Sequence, residues 1–145
     1  MSIYQTITKL GYAGLIPFVL LTGLMWVIDR ELLPFASIAL GAYAAAIVSF
    51  LGGVHWGIGF MKAQSDSLPV THFHLWWGVV PSLIAWLALM MPAYAALPLL
   101  GMVVVACYVV DSRTYPAAGL ANWLPMRLRL TVVAALSCVL GAAAV

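Results

Sequence analysis

This sequence predicts an all-α fold, a polytopic membrane protein with five transmembrane helices in one bundle, and three observations lead there. Of 145 residues, 66% are hydrophobic and 7% are charged, against roughly 25% charged in a soluble domain; the mean hydropathy is +1.11. The apolar residues gather into five stretches, each close to the ~17–25 residues that a helix needs to cross ~30 Å of hydrocarbon. None shows the strict alternation of a barrel strand, so helices are the spanning form. No polar block is long enough to fold separately, which makes 1–145 a single domain. The net charge of +2 is small and scattered, which excludes a nucleic-acid partner and leaves the lipid bilayer as the principal one.

The first apolar stretch runs from about Gly11 to Ile28 and stops at Asp29-Arg30-Glu31. The second runs from about Leu33 to Phe60 and stops at Met61-Lys62. A polar connection from Lys62 to Thr71 precedes the third, about Phe73 to Met91, which Pro92 closes. The fourth, about Ala93 to Val110, ends at Asp111-Ser112-Arg113, and a connection from Thr114 to Pro125 leads to the fifth, about Met126 to Val145. The first stretch is not a cleaved signal peptide: it is long, contains Pro17 and lacks a small-x-small site before Asp29.

Basic residues set the expected orientation. Lys9, Lys62, Arg113, Arg127 and Arg129 fall on one side of the five-span arrangement and only Arg30 on the other. The positive-inside rule then puts the N-terminus inside and the C-terminus outside. Cys107 lies about one turn from the inner end of the fourth stretch and Cys138 about three turns into the fifth. Their depths differ by roughly 10 Å at ~1.5 Å per residue, too far for a disulfide, so both read as buried thiols.

His55 is the ionisable side chain that lies deep within an apolar run, in Gly52-Gly53-Val54-His55-Trp56-Gly57. An ionisable group at membrane depth is costly and points to function; it must face the bundle interior and meet a partner, a cavity or a ligand. It sits roughly 10 Å above Lys62 along the helix axis. On the same inner side the third stretch begins with His72, His74, Trp76 and Trp77, the fourth ends with Tyr108 and Asp111, and the fifth begins with Arg127 and Arg129 after Trp123. These groups converge on one leaflet. The bland readings are an aromatic belt for Trp76, Trp77 and Trp123, solvated interfacial imidazoles for His72 and His74, and lipid-phosphate contacts for the arginines. Two residues apart on a helix, Arg127 and Arg129 point to nearly opposite faces, so one can turn inward to Asp111. At the end of a helix, where the backbone already carries partial negative charge, Asp111 calls for such a cation.

Other chemistry is poorly supported. Gly41, Ala45, Ser49 and Gly52 form a small-residue stripe for close helix packing, and Ser49 has no acid or base within reach. His55, His72 and His74 come without the intramembrane carboxylate or Cys-x-x-Cys that would make a metal centre, so no metal is expected. A haem with His55 and His74 as axial ligands is a minority reading. No nucleophile–base pair or phosphate loop is present.

Four segments carry a family resemblance: Leu10-Gly11-Tyr12-Ala13-Gly14-Leu15-Ile16-Pro17-Phe18, Ser49-Phe50-Leu51-Gly52-Gly53-Val54-His55-Trp56-Gly57, Val80-Pro81-Ser82-Leu83-Ile84-Ala85-Trp86 and Trp123-Leu124-Pro125-Met126-Arg127-Leu128-Arg129. Together they resemble an uncharacterised membrane-protein family with a domain of unknown function, the transmembrane protein 69-like family of bacteria and mitochondria. The resemblance implies a small multi-helix protein of a bacterial inner membrane, or of an organellar inner membrane in a eukaryote. It implies no reaction. The helix count is also similar to the porphyrin- and sterol-binding translocator proteins, by architecture alone.

Three functional readings compete. The leading one is a non-enzymatic protein whose inner-leaflet pocket holds a flat, partly apolar ligand such as a quinone, porphyrin or lipid, with His55, Trp56, His74, Trp76, Trp77, Asp111, Arg127 and Arg129 as candidate lining. The second is an accessory or assembly subunit that docks another membrane protein or a second copy of itself. The third is a proton-coupled transporter or membrane enzyme that uses His55 and Asp111.

Overall fold

The computed structural model describes residues 2–65 and 68–145, the side chains of 68–71 excepted. Among the described residues six α-helices follow one another: α1 (Ile3–Ala13), α2 (Ile16–Met25), α3 (Leu33–Ala63), α4 (Leu68–Leu89), α5 (Ala93–Thr114) and α6 (Leu124–Ala144). Two single-turn 3₁₀ segments, Pro116–Ala118 and Ala121–Trp123, connect α5 to α6. Five stretches among the described residues are long and apolar enough to cross a membrane: Ile3–Met25, Leu33–Ala63, His72–Leu89, Ala93–Thr114 and Ala121–Ala144. The all-helical, five-span fold class is therefore the observed one.

The first span begins at Ile3 rather than near Gly11, and ends at Met25 rather than Ile28. Gln5, Thr6, Thr8 and Lys9 lower the hydropathy of its first turns, yet Ser2 and Gln5 form a reciprocal capping box that starts the helix there. The break between α1 and α2 has a local cause. Pro17 has no N–H to continue the ladder, and Leu15 bonds back only three residues, to Tyr12. Tyr43 of α3 donates its hydroxyl to the Gly14 carbonyl at 2.8 Å, which satisfies the backbone at the kink. The third span stops at Leu89, where Met90 and Met91 turn into Pro92.

Helix α3, 31 residues long, is the axis of the bundle and packs against α2, α4, α5 and α6. Its most extensive partner is α4. Leu40, Ala44 and Val48 of α3 meet Leu97, Leu100 and Val104 of α5 in a core that Phe18, Ala85, Ala134 and Cys138 complete. At ~1.5 Å per residue α3 is roughly 46 Å long, so it is longer than the ~30 Å of hydrocarbon. Cys107 and Cys138 are both free and buried.

The small-residue stripe has a specific job at one position. A Cβ on Gly52 would fall on the Gly78 carbonyl oxygen of α4 and 3.3 Å from its carbon. Gly78 is equally tight, with the Gly52 carbonyl oxygen 2.8 Å from where its Cβ would be. The two helix backbones therefore touch directly, which only glycine on both sides allows. Gly59 is close-packed on Leu75, whereas Gly53 and Gly57 face open space. Ser49 only returns its hydroxyl to the Ala45 carbonyl.

Candidate functional site

Contact between Gly52 and Gly78 fixes the separation of α3 and α4, and one turn further along each helix come the residues that matter most. His55 lies three residues beyond Gly52, and His74 four residues before Gly78, on the antiparallel partner. Their rings meet edge to edge with planes 29° apart and centroids 5.0 Å apart, and the two Nδ1 atoms are 2.8 Å apart. On its far side His55 Nε2 lies 2.9 Å from Asp111 Oδ1 of α5. Asp111 Oδ2 in turn lies 2.9 Å from Nη2 of Arg127 of α6. That last approach is an ion pair rather than an aligned hydrogen bond. Arg127 also donates from Nη1 to the Thr131 hydroxyl, one turn along α6, at 2.8 Å. A single polar chain thus links four helices: His74, His55, Asp111, Arg127, Thr131.

The chain is sealed from its surroundings. His55 is 1% exposed, His74 0% and Asp111 1%. Tyr115, just past the end of α5, closes it from the connecting loop: its ring lies 6.2 Å from that of His55, and its phenol feels the charges of Asp111 and Arg127. Burial, reinforced by the Asp111 charge, pushes the Tyr115 phenol up to about 12. It is a neutral O–H at ordinary pH.

Proton positions follow from the inventory of donors and acceptors. A carboxylate only accepts and Arg is permanently charged, so the Nε2 of His55 facing Asp111 carries a hydrogen. One hydrogen, and only one, fits between two nitrogens at 2.8 Å. If both imidazoles are neutral, His55 Nδ1 is bare, His74 Nδ1 carries the shared hydrogen, and His74 Nε2 is left as an acceptor. With one extra proton on the pair, His74 Nε2 becomes a donor. The state of Asp111–His55 is therefore read out at the far nitrogen of His74.

That nitrogen has no partner among the described residues, and neither does the buried Nε1 of Trp77. Residues 74 and 77 are three apart on α4, hence neighbours on one face. Trp56 is spent on structure: partly exposed, it donates Nε1 to the Leu75 carbonyl at 3.1 Å across the α3–α4 contact. Trp76 is 77% exposed and lies on the lipid-facing side, away from the chain. Arg129 is exposed and donates to the Tyr12 hydroxyl at 3.2 Å, so the expected inward arginine is Arg127. Trp123 stacks on Tyr4 at 5.5 Å, and His72 is exposed. Of the eight candidate lining residues, the structure joins His55, His74, Asp111 and Arg127, sets Trp77 beside them, and leaves Trp56, Trp76 and Arg129 outside.

Haem ligation by both histidines does not fit. Two metal–nitrogen bonds of ~2.0–2.1 Å on opposite sides of an iron would hold the nitrogens roughly 4 Å apart, with a porphyrin between the rings. Here the two nitrogens are in direct contact at 2.8 Å, which leaves no room for a porphyrin between them. No cluster of three His, Cys, Asp or Glu suited to a metal ion occurs among the described residues. A cavity of about 420 Å³ lies at the opposite end of the bundle, among Met25, Trp26, Arg30, Leu33 and Ala143.

Tyr115, Thr131 and Gly78 are the participants that sequence reading passed over. Tyr115 and Thr131 each stand four residues after a chain member, Asp111 and Arg127, which is the helical spacing that would have flagged them. Gly78 stands four after His74.

A family model described as "Protein of unknown function (DUF3429)" matches residues 3–143. Transmembrane protein 69 of Xenopus tropicalis is 38% identical over 139 residues, which cover 90% of this chain and 51% of that protein. Transmembrane protein 69 of Mus musculus is 27% identical over 128 residues, covering 88% of this chain and 51% of that protein. The chain spans about half the length of these curated relatives. No solved structure matches.

Proposed function

The chain belongs to the family described as protein of unknown function (DUF3429), and from that premise we propose that it is a proton-handling membrane protein whose His74–His55–Asp111 chain takes up one proton at the inner leaflet and returns it. The observation that carries this reading is the unbroken sequence of short contacts, 2.8 Å between the imidazoles and 2.9 Å from His55 to Asp111. Stability alone is a weak reason for such a chain. Burying ionisable groups away from water is expensive, and an apolar core of the same volume often does as well. Ionisable groups inside membrane segments characteristically serve proton or ion movement.

Each residue has a distinct role. Arg127 fixes the charge of Asp111, and Thr131 fixes the rotamer of Arg127. Asp111 holds the His55 ring and stabilises the extra positive charge when the pair is protonated. His55 and His74 hold the proton between them and at His74 Nε2, where it enters or leaves. A ligand directly on His55 is disfavoured, because both of its ring nitrogens already have protein partners. Neither an accessory-subunit role nor a catalytic one draws support from a particular contact.

The test is proton uptake by the purified protein in lipid nanodiscs, with histidine ¹⁵N resonances followed as the pH is lowered. The expected result is one proton bound per chain, seen on the His55 and His74 resonances together and lost in Asp111→Asn. Independent titration of the two rings, or uptake unchanged in Asp111→Asn, would overturn the reading.

A further inference from the structure

We infer that His74 Nε2 and Trp77 Nε1 form a docking site for a membrane-soluble weak acid, an apolar molecule that carries an O–H able to give up its proton. The inference rests on the proton-handling reading and supplies the partner with which the chain exchanges. Both nitrogens are buried and have no hydrogen-bond partner among the described residues, a costly condition for polar groups inside a membrane. They sit on the same face of α4, one turn apart, with roughly 5–6 Å between the Cβ atoms of residues so spaced.

Their chemistry selects the ligand. In the neutral state, His74 Nε2 is an acceptor, because His55 Nε2–H is committed to Asp111 and His74 Nδ1–H to His55. Trp77 Nε1–H is a donor only. An acceptor beside a donor matches a group that offers one of each: a protonated carboxyl, through its hydroxyl and carbonyl oxygens, or a hydroxyl alone. A ketone or ester carbonyl would face a bare nitrogen at His74 and fits poorly. After transfer the match persists, since a carboxylate or oxyanion accepts from both His74 Nε2–H and Trp77 Nε1–H. The step is balanced: the ligand O–H breaks, a His74 N–H forms, and the positive charge of the histidine pair offsets the negative charge left on the ligand oxygen. No electron moves.

The surrounding charges suit this exchange. From α3 the pair meets His55 and, nearer the helix end, Lys62, whose charge is felt at His74. From α5 and its following turn it meets Asp111 and Tyr115, and from α6 Arg127. Lys62 is the cation whose charge is felt at His74, favourable to an acid arriving from the interface. Phe73 and Val80, exposed on α4 three to four residues from Trp77, give the site an apolar border toward the lipid.

The experiment uses the full chain in nanodiscs, ¹⁵N-labelled at His and Trp side chains. Two probes, dodecanoic acid and a decyl-substituted benzoquinol, separate a carboxyl from a phenolic source of the same O–H. Either probe should shift His74 Nε2 and Trp77 Nε1 together, saturably. Trp77→Phe, which keeps the shape and removes the donor, should weaken binding by about tenfold or more. His74→Asn, which retains a group facing His55 and lacks Nε2, should do the same. A site that exchanges only with water and responds to neither probe would overturn the inference, as would a shift unaffected by Trp77→Phe. The probe-free proton uptake described above is measured on the same samples. If it persists without a probe response, the docking site alone fails; if it is absent, the proton-handling reading fails first.

Discussion

Replacing Gly52 by alanine should be the most damaging methyl addition in this chain, and its cost can be set against a control one residue away. The new Cβ would overlap the Gly78 carbonyl oxygen and lie 3.3 Å from its carbon. That oxygen belongs to the backbone of a continuous helix and cannot rotate away, so α3 and α4 must part by about 1 Å to restore a carbon–oxygen contact of ~3.3 Å or more. Overpacking of this kind costs about 1–3 kcal/mol. The same separation stretches the 2.8 Å His55–His74 contact beyond the roughly 3.5 Å at which a hydrogen bond ends, at about 0.5–1.5 kcal/mol more. Gly53→Ala meets nothing within 4 Å and receives the same gain in helix propensity, so propensity cancels in the comparison. Gly52→Ala should therefore be less stable than Gly53→Ala by about 1.5–4.5 kcal/mol. Reversible unfolding in mixed micelles measures the difference, and histidine ¹⁵N spectra of the same samples report the pair. Equal stability of the two variants, or an intact His55–His74 bond in Gly52→Ala, would refute the claim that the glycine contact sets the geometry of the polar chain.

Three further outcomes are expected. Asp111→Asn leaves Arg127 buried without its counter-charge and should cost about 3–5 kcal/mol; adding Arg127→Met should recover much of that, which a double-mutant cycle reads directly. Tyr115 titrates near 10 when unfolded and near 12 in the fold, so the folded state holds its proton more tightly. Its contribution is fully present below about pH 10 and is lost as pH rises through 12; Tyr115→Phe should flatten the alkaline loss of stability in that window. Single cysteines placed at Gln64 and Val145 should label from opposite sides of the membrane, and same-side labelling would reject the five-span topology.

Much of this was legible in the sequence, for identifiable reasons. Long apolar stretches admit only helices in a membrane, so the five spans were readable without any contact known. The burial of His55 and a cationic partner for Asp111 followed from the cost of ionisable groups at depth. Selection of Arg127 over Arg129 was not readable, because a two-residue offset says that the pair diverges and not which member faces in. The direct imidazole contact was hidden as well: it depends on the meeting of Gly52 with Gly78, and the significance of Gly78 appears only once α4 is laid against α3. Tyr115 looked like a loop residue because α5 was expected to end at Val110. Its real end at Thr114 puts Tyr115 on the Asp111 face. Polar residues between Gln5 and Lys9 masked the first turns of the opening span in the same way.

The most direct test of the central claim is a measurement of nitrogen–nitrogen scalar coupling through the hydrogen bond between His55 Nδ1 and His74 Nδ1, in ¹⁵N-histidine protein embedded in bilayers. A shared hydrogen across 2.8 Å should give a resolved coupling between these two nitrogens, while His55 Nε2 should be a protonated nitrogen shifted by its contact with Asp111. Both signatures should vanish in His55→Gln. Absence of coupling in the unaltered protein, with two histidine spectra that respond independently to pH, would contradict the chain and the proton handling built on it.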